Sequence, residues 1–284
     1  MITAMPRIAI ASADFPELIS TFRNKLAMPV MDMSAETIDS LGAALGMCTP
    51  DVGSNIELMS PADPTTPLSQ SLQGFLDRRG QGHFALMLEA ADPDQEAEIL
   101  QERGLNVMTK MEGAGGRDVH PNSTHGVLIR VYPNDSVPNP NIAPIEGPAT
   151  TSLTGIKRVI IAVRDIEEAA DTYGRKFGLE VSEPVQDNAR GLTVVICTPP
   201  KGGVIELAAV TDPNKTFAAA IEQHIETKRE GIYALVLGTD DLEKTAKALA
   251  SNGMKTDTVP GLNSTLQLDA DATFGARIFV SDED

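Results

Sequence analysis

The residue types able to do chemistry in this chain are few: four histidines (His83, His120, His125 and His224), two cysteines, and a small set of arginines and glutamates set within apolar runs. Arginine holds a carboxylate or phosphate with a planar fork that stays protonated. A carboxylate beside arginine stays ionised and is suited to act as a base, while histidine can give or take a proton near neutral pH. Several of these residues occur twice. Glu57, in Ile56-Glu57-Leu58, returns as Glu206 in Ile205-Glu206-Leu207, and Cys48-Thr49-Pro50 returns as Cys197-Thr198-Pro199. Arg7-Ile8 returns as Arg158-Val159.

The elements that must position them repeat as well. The common offset is 149 residues, and it carries Gly82, Gly104 and Gly126 onto Gly231, Gly253 and Gly275. Near the start the offset is 151, so a two-residue insertion separates the copies there. A fixed period over most of a chain means a duplicated unit. Each copy divides again. Alternation predicts a strand over 6–12, then a helix over 15–26 capped by Asp14, then strands near 29–33, 41–48 and 55–60. A strand over 83–90 follows, a helix over 93–103 capped by Asp92, and strands near 106–111, 117–120 and 126–132. The second copy gives the same order from 157 onward, with an added helix at about 215–227. The βαβββ pattern occurs four times. Two such units side by side form a curved mixed sheet whose concave face makes a cup, the natural place for a small ligand.

The expected organisation is an N-terminal domain over 1–135 (units about 6–62 and 82–133), a proline-rich linker over 136–152, and a C-terminal domain over 153–284 (units about 156–210 and 231–281). Pro61–Ser71 and Thr211–Lys215 read as short connectors.

Composition narrows the function. Lys and Arg total 23 against 40 Asp and Glu, a net charge of −17, and no basic run occurs. Nucleic acid and anionic membrane surfaces are therefore excluded as expected partners. No apolar run approaches the roughly 20 residues of a membrane span, and Met1–Ser12 lacks the pattern of a signal peptide. A cytoplasmic protein is expected, with Cys48 and Cys197 reduced and buried.

Paired βαβββ units carrying an Ile-Glu-Leu strand resemble the vicinal oxygen chelate superfamily, which includes glyoxalase I, methylmalonyl-CoA epimerase, extradiol dioxygenases and bleomycin-resistance proteins. The local run His120-Pro121-Asn122-Ser123-Thr124-His125-Gly126-Val127-Leu128-Ile129, with Gly82–Leu88 and Asp92–Leu105 before it, is similar to methylmalonyl-CoA epimerase. The resemblance implies an α+β fold of four modules in two tandem domains, with a divalent metal in the cup. Its ligand positions fall on Arg7, Glu57, His83 or (in the other register) Ala85, and Arg130. In the second copy they fall on Arg158, Glu206, Ile232 or Ala234, and Phe279. Arginine has no lone pair to give a metal, so the expectation is no cofactor. A divalent metal, if held, would use Glu57 and His83.

In place of a metal, Arg7 and Arg130 are expected to clamp an anionic substrate, with His120 a further substrate-binding residue. Glu57 and His83 are expected to face each other as the acid–base pair. The alternative is that each arginine is a buried salt bridge to Glu57 or Glu206. The first copy is expected to keep a polar cup and the second to be filled. His224, in a helical stretch, reads as a solvated helix residue. The function expected is proton abstraction on a small carboxylate or acyl-CoA thioester, of isomerase, epimerase or lyase type and without a metal. A sequestering protein of the bleomycin-resistance kind and a metal-dependent enzyme with an altered ligand set are the alternatives. A small anionic molecule is the expected partner, with a homodimer also open.

Overall fold

Every one of the four modules begins with a strand that runs into an aspartate-capped helix. The computed structural model describes residues 1–283 except 112, 114, 137–141 and 144. Strand β1 (Ile2–Ala11) leads into α1 (Phe15–Ser20), where Asp14 accepts from the Glu17 amide, and a wider π turn extends the helix over Thr21–Lys25. β2 (Val30–Asp32), α2 (Ser34–Leu41), β3 (Ala43–Cys48) and β4 (Asn55–Pro61) complete the module. Helix α3 (Pro67–Arg79) crosses to β5 (Gly82–Ala90), α4 (Pro93–Glu102), β6 (Arg117–Val119) and β7 (Leu128–Pro133). The second half repeats this as β8 (Leu153–Ala162), α5 (Ile166–Asp171), β9 (Glu180–Val181), β10 (Val185–Asp187), β11 (Leu192–Thr198) and β12 (Val204–Val210). It ends with α6 (Thr216–Lys228), β13 (Gly231–Thr239), α7 (Leu242–Ser251), β14 (Thr256–Thr258), β15 (Thr265–Leu268) and β16 (Ile278–Ser281). Asp92, Asp165 and Asp241 cap their helices as Asp14 does, each satisfying amides that the first turn leaves without partners.

The strands form two mixed sheets, ordered β2-β3-β4-β1-β5-β7-β6 and β10-β11-β12-β8-β13-β16-β15-β14, with β9 on the edge of β11. In each, the modules join where the two first strands pair antiparallel, β1 with β5 and β8 with β13. Each cup is thus built within one chain. This is the α+β architecture of paired βαβββ modules that the repeat implies.

Strand alternation assigns the faces. Ile8 and Ile10 join Leu18, Phe22, Leu100, Val159, Ile161, Tyr173 and Leu235 in one core shared by both halves. The opposite faces form two separate concave cores. Ala9, Met59, Ala85 and Met87 pack with Leu68 and Leu72 of α3; Ile160, Ala162, Ala234 and Phe279 pack with Phe217 and Ile221 of α6.

Three sequence expectations need correction. The Pro61–Ser71 connector is in part helix, since α3 starts at Pro67, and α2 stands between the expected strands near 29–33 and 41–48; both helices lie outside the βαβββ expectation for this half. Residues 106–111 form no strand, only a single bridge between Val107 and Val119. Of the proline-rich linker, Pro138, Pro140 and Pro144 lie outside the described residues. Its remainder is tied to both halves, because Thr151 Oγ1 donates to the Leu26 carbonyl and the Asn252 side chain bonds Ala149 and Lys25.

Candidate functional site

The residues singled out by the sequence centre on the first cup. Arg7 and Glu57 do lie on the concave face of the first half, on neighbouring strands β1 and β4. Arg7 Nε donates to Glu57 Oε2 at 3.0 Å, and Nη1 donates to Ser136 Oγ at 3.0 Å. Arg130 makes a two-pronged pair with Asp118, with Nη2 to Oδ2 at 2.6 Å. The Tyr132 ring lies 4.4 Å from the Arg7 guanidinium and 5.8 Å from that of Arg130. Arg7, Glu57 and Arg130 are only 3%, 4% and 5% exposed, beneath the concave core that α3 closes. Burial alone would lower both arginines, but Glu57 and Tyr132 beside Arg7, and Asp118 and Tyr132 beside Arg130, carry both above the ordinary guanidinium value. For Arg7 this is the buried salt-bridge alternative with Glu57; Arg130 is also paired within the protein, but with Asp118 and not with Glu57 or Glu206.

The second cup is built alike. Glu206 accepts from Arg158 at 3.0 Å and from Arg190 at 2.6 Å, and Arg190 also donates to Asp187 at 2.6 Å. The expected contrast between an open first cup and a filled second one is therefore absent: a helix fills each. Both cups also fail as metal sites. The positions that would ligate hold Arg7, Glu57, Ala85 and Arg130, or Arg158, Glu206, Ala234 and Phe279, and a lone carboxylate already paired to guanidinium cannot hold an ion. Among the described residues no three His, Cys, Asp or Glu side chains converge on a metal position.

His83 and Glu57 do not face each other. In the register of β4, β1 and β5, Glu57 stands level with Ala9 and Ala9 with Ala85, so Ala85 occupies the position across the cup. A bulge between Ala9 and Ile10 absorbs the extra residue, and His83 pairs with Ile10 at the strand's beginning. From there it lines a different space.

That space is a cleft of about 1770 Å³ between the two halves, larger than the roughly 300–1,000 Å³ usual for a small-molecule pocket. All four histidines line it, joined by Arg78, Arg79, Arg164, Lys176, Lys228, Arg229 and Arg277 against two acids among the described residues, Glu168 and Glu230. On a chain of net charge −17, this concentrates positive charge in one concave surface, which focuses the field on an incoming anion.

The elements explain the placement. Helices α3 and α6 occupy equivalent places, and their C-terminal ends carry Arg79 and Lys228 at the 149-residue offset. Phe75 meets Phe84 edge to face at 5.3 Å, and their equivalents His224 and Tyr233 meet the same way at 5.4 Å. Arg277 lies 4.1 Å over the Tyr233 ring. His125 Nδ1 reaches Glu230 Oε2 at 3.4 Å across the halves. His120 caps a short 3-10 turn, its Nδ1 accepting from the Asn122 amide at 3.1 Å. His83 Nε2 is buried with no hydrogen-bond partner among the described residues. Burial, then His224, Arg277 and Lys228, lower the His83 pKa to about 3; burial, then Arg277, Lys228 and Arg79, lower that of His224 to about 4. Both rings are neutral at pH 7, and each keeps one donor and one acceptor nitrogen.

Of the five site residues expected from sequence, the structure brings together His83 and His120 in the cleft and leaves Arg7, Glu57 and Arg130 in the closed cup. His224, read as solvated, is a cleft residue. Arg79, Lys228, Arg229 and Arg277 were missed. One signal was available: Arg78-Arg79 and Lys228-Arg229 are paired basic residues just before Gly82 and Gly231 in both copies.

Comparison with known proteins agrees with this architecture. A family model described as the glyoxalase/bleomycin resistance protein/dioxygenase superfamily matches residues 157–264. No curated protein matches the chain. Among solved structures, a mutant of 4-hydroxymandelate synthase from Streptomyces coelicolor is similar over 98% of this chain and 92% of its own, with 14% identity and a TM-score of 0.68. Methylmalonyl-CoA epimerase from Mycobacterium tuberculosis matches over 46% of this chain and 89% of its own, with 21% identity and a TM-score of 0.40. An epimerase variant from Streptomyces coelicolor, in complex with 2-nitronate-propionyl-CoA, covers 49% of this chain and all of its own at 22% identity and a TM-score of 0.40.

Proposed function

We propose that this chain, whose fold is that of the vicinal oxygen chelate superfamily, binds a small anionic molecule in the cleft between its halves rather than in either cup. The observation that carries this reading is the lining charge: among the described residues, seven Lys and Arg against two acids in a chain whose acids outnumber its Lys and Arg 40 to 23. In the cups the guanidinium groups are spent on protein carboxylates. In the cleft, no ion pair ties Arg79, Arg229 or Arg277 to an acid among the described residues. Titrating the full chain with acetate, succinate and inorganic phosphate while following backbone amide resonances tests the reading. Saturable shifts around His83, His224 and Arg277, with none around Glu57, are expected. No saturable shift from any of the three, or shifts confined to the cup, would end it.

Proton abstraction is the second reading, and His83 favours it. Its Nε2 is unpartnered among the described residues but sealed from solvent, so a side-chain shift that opens it to the cleft would let it take a proton from the carbon next to a carboxylate or thioester carbonyl. The electron pair would move into the carbonyl oxygen, and Arg277 would hold the resulting enolate. A pKa near 3 makes the free histidine a weak base, which is why binding ranks first. Exchange of that carbon-bound proton in deuterated water, lost in His83→Gln, is the expected sign of an isomerase, epimerase or lyase. Binding without exchange favours sequestration.

A further inference from the structure

Resting on the anion reading of the cleft, we infer that the ligand presents a phosphoryl group to Arg79, Arg229 and Arg277, contributed by both halves of the chain.

Arg229 is the leading observation. Its backbone lies at φ 66°, ψ −174°, and its equivalent in the first half is Gly80 at φ 75°, ψ −169°. That region is open to glycine and closed to most side chains. The first half uses the residue that fits. The second half holds an arginine there, in the wall of the cleft. Strain of this kind persists where the surroundings impose it, and it gathers at ligand sites.

Arg79 supplies the second observation. It comes from the opposite half and is partly buried, and Arg229 and Arg78 push its charge in the unfavourable direction after burial itself. Like charges brought together without a counter-ion repel. The helix dipole accounts for cations on the last turns of α3 and α6, which are Arg78, Arg79 and Lys228. It does not account for Arg229 past the helix end in a glycine conformation, nor for Arg277 ahead of a strand.

The number of donors then separates ligand classes. A carboxylate offers two oxygens and one charge, enough for a single fork. A phosphate monoester offers three peripheral oxygens and about 1.5–2 negative charges near neutral pH. It can take guanidinium forks from both halves at once. The volume of the cleft, about 1770 Å³, leaves room for a substantial body attached to that group.

The test is titration calorimetry of the full chain with inorganic phosphate, inorganic pyrophosphate and succinate at matched ionic strength. Phosphate and pyrophosphate should bind at least tenfold tighter than succinate. Arg229→Gly and Arg79→Gln should each weaken pyrophosphate at least tenfold, and Arg229→Gly should melt no lower than the parent, because glycine suits that backbone. Succinate binding as tightly as pyrophosphate would overturn the phosphoryl inference and leave the anion reading standing. Binding of none of the three would end both. Unchanged pyrophosphate affinity in Arg229→Gly and Arg79→Gln would overturn the assignment to these arginines.

Discussion

Gly126 and Gly231 meet backbone to backbone across the boundary between the halves, and the contact is reciprocal: Gly82 meets Gly275. Each pair joins one glycine to the repeat equivalent of the other's partner, since 82 maps onto 231 and 126 onto 275 at the 149-residue offset. The two halves are therefore related by a local two-fold, as two copies of a symmetric dimer would be. The cleft sits at this junction. His83 follows Gly82, His125 precedes Gly126, and Glu230 precedes Gly231, so the close approach of the glycines sets the spacing of the cleft's polar groups.

Replacing Gly126 with alanine should therefore be costly in a way that replacing Gly104 is not. A Cβ at Gly126 would fall on the carbonyl of Glu230, which is backbone and cannot swing away, and its φ of 77° adds strain. Gly104 has a similar φ of 84° with open space around it. Urea denaturation should show a loss of about 2–4 kcal/mol for Gly126→Ala and about 1 kcal/mol for Gly104→Ala. Equal losses would mean that the halves do not approach as described.

The buried arginines should behave as structural residues. Arg7→Ala leaves the Glu57 carboxyl group without its arginine partner at 4% exposure, and breaking a buried pair from one side costs about 3–5 kcal/mol. Arg130→Ala should cost a similar amount through Asp118. The double change Arg7→Met with Glu57→Met should recover most of the loss, because two apolar side chains suit a core already lined by Met59 and Met87. Anion affinity of the folded variants should stay at the parental value. A stable Arg130→Ala that no longer binds anions would return the site to the cup.

The module order was legible because it rests on local signals. Four aspartate caps and an alternating strand before each helix need no tertiary information, and the 149-residue echo supplies the duplication. The site was not legible for a tertiary reason. Strand alternation alone predicts an open concave face, but Leu68 and Leu72 of α3 are drawn onto Ala9 and Ala85, where small side chains leave space for a helix. The proline-bearing stretch 61–71 hid that helix, since Pro67 stands at its first position, where proline is well suited. His224 misled in the opposite direction. It lies on a helix with exposed neighbours, and only the fold shows that its ring takes the place of Phe75 against Tyr233. The cleft exists only once the halves have docked, so a reading of one half at a time cannot find it.

Both cysteines should be inert in the folded chain. Burial pushes the Cys48 thiol far above its ordinary range and that of Cys197 up to about 12. Neither thiolate is populated at neutral pH, and the thiolate is the reactive form. An aromatic disulfide reagent at pH 8 should modify neither until denaturant is added. Rapid labelling of native protein would contradict the burial of Cys197 in particular, since it lies in an edge-side strand paired to the short β9.

Acid should destabilise the chain through His83 and His224 before it acts elsewhere. Their folded values, about 3 and about 4, lie below the roughly 6.5 of an unfolded histidine. The unfolded chain therefore binds the extra protons, and the stability these rings contribute is complete above about pH 6.5 and is lost as pH falls toward 4 and then 3. Between pH 6.5 and 5, where carboxylates contribute little, the unfolding free energy should fall with a limiting slope of about 1.4 kcal/mol per pH unit for each histidine. His224→Phe, which copies Phe75 of the first half, should lower that slope by one proton. The same cations that depress these rings line the cleft, so an anion seated on Arg277 and Lys228 should raise both values. Calorimetry of the binding of sulfate, an anion with no titrating proton in this range, in buffers of different ionisation enthalpy should then show net proton uptake by the protein near pH 5, and affinity that climbs as pH falls through that window. Proton release on binding would mean that the anion sits away from His83 and His224.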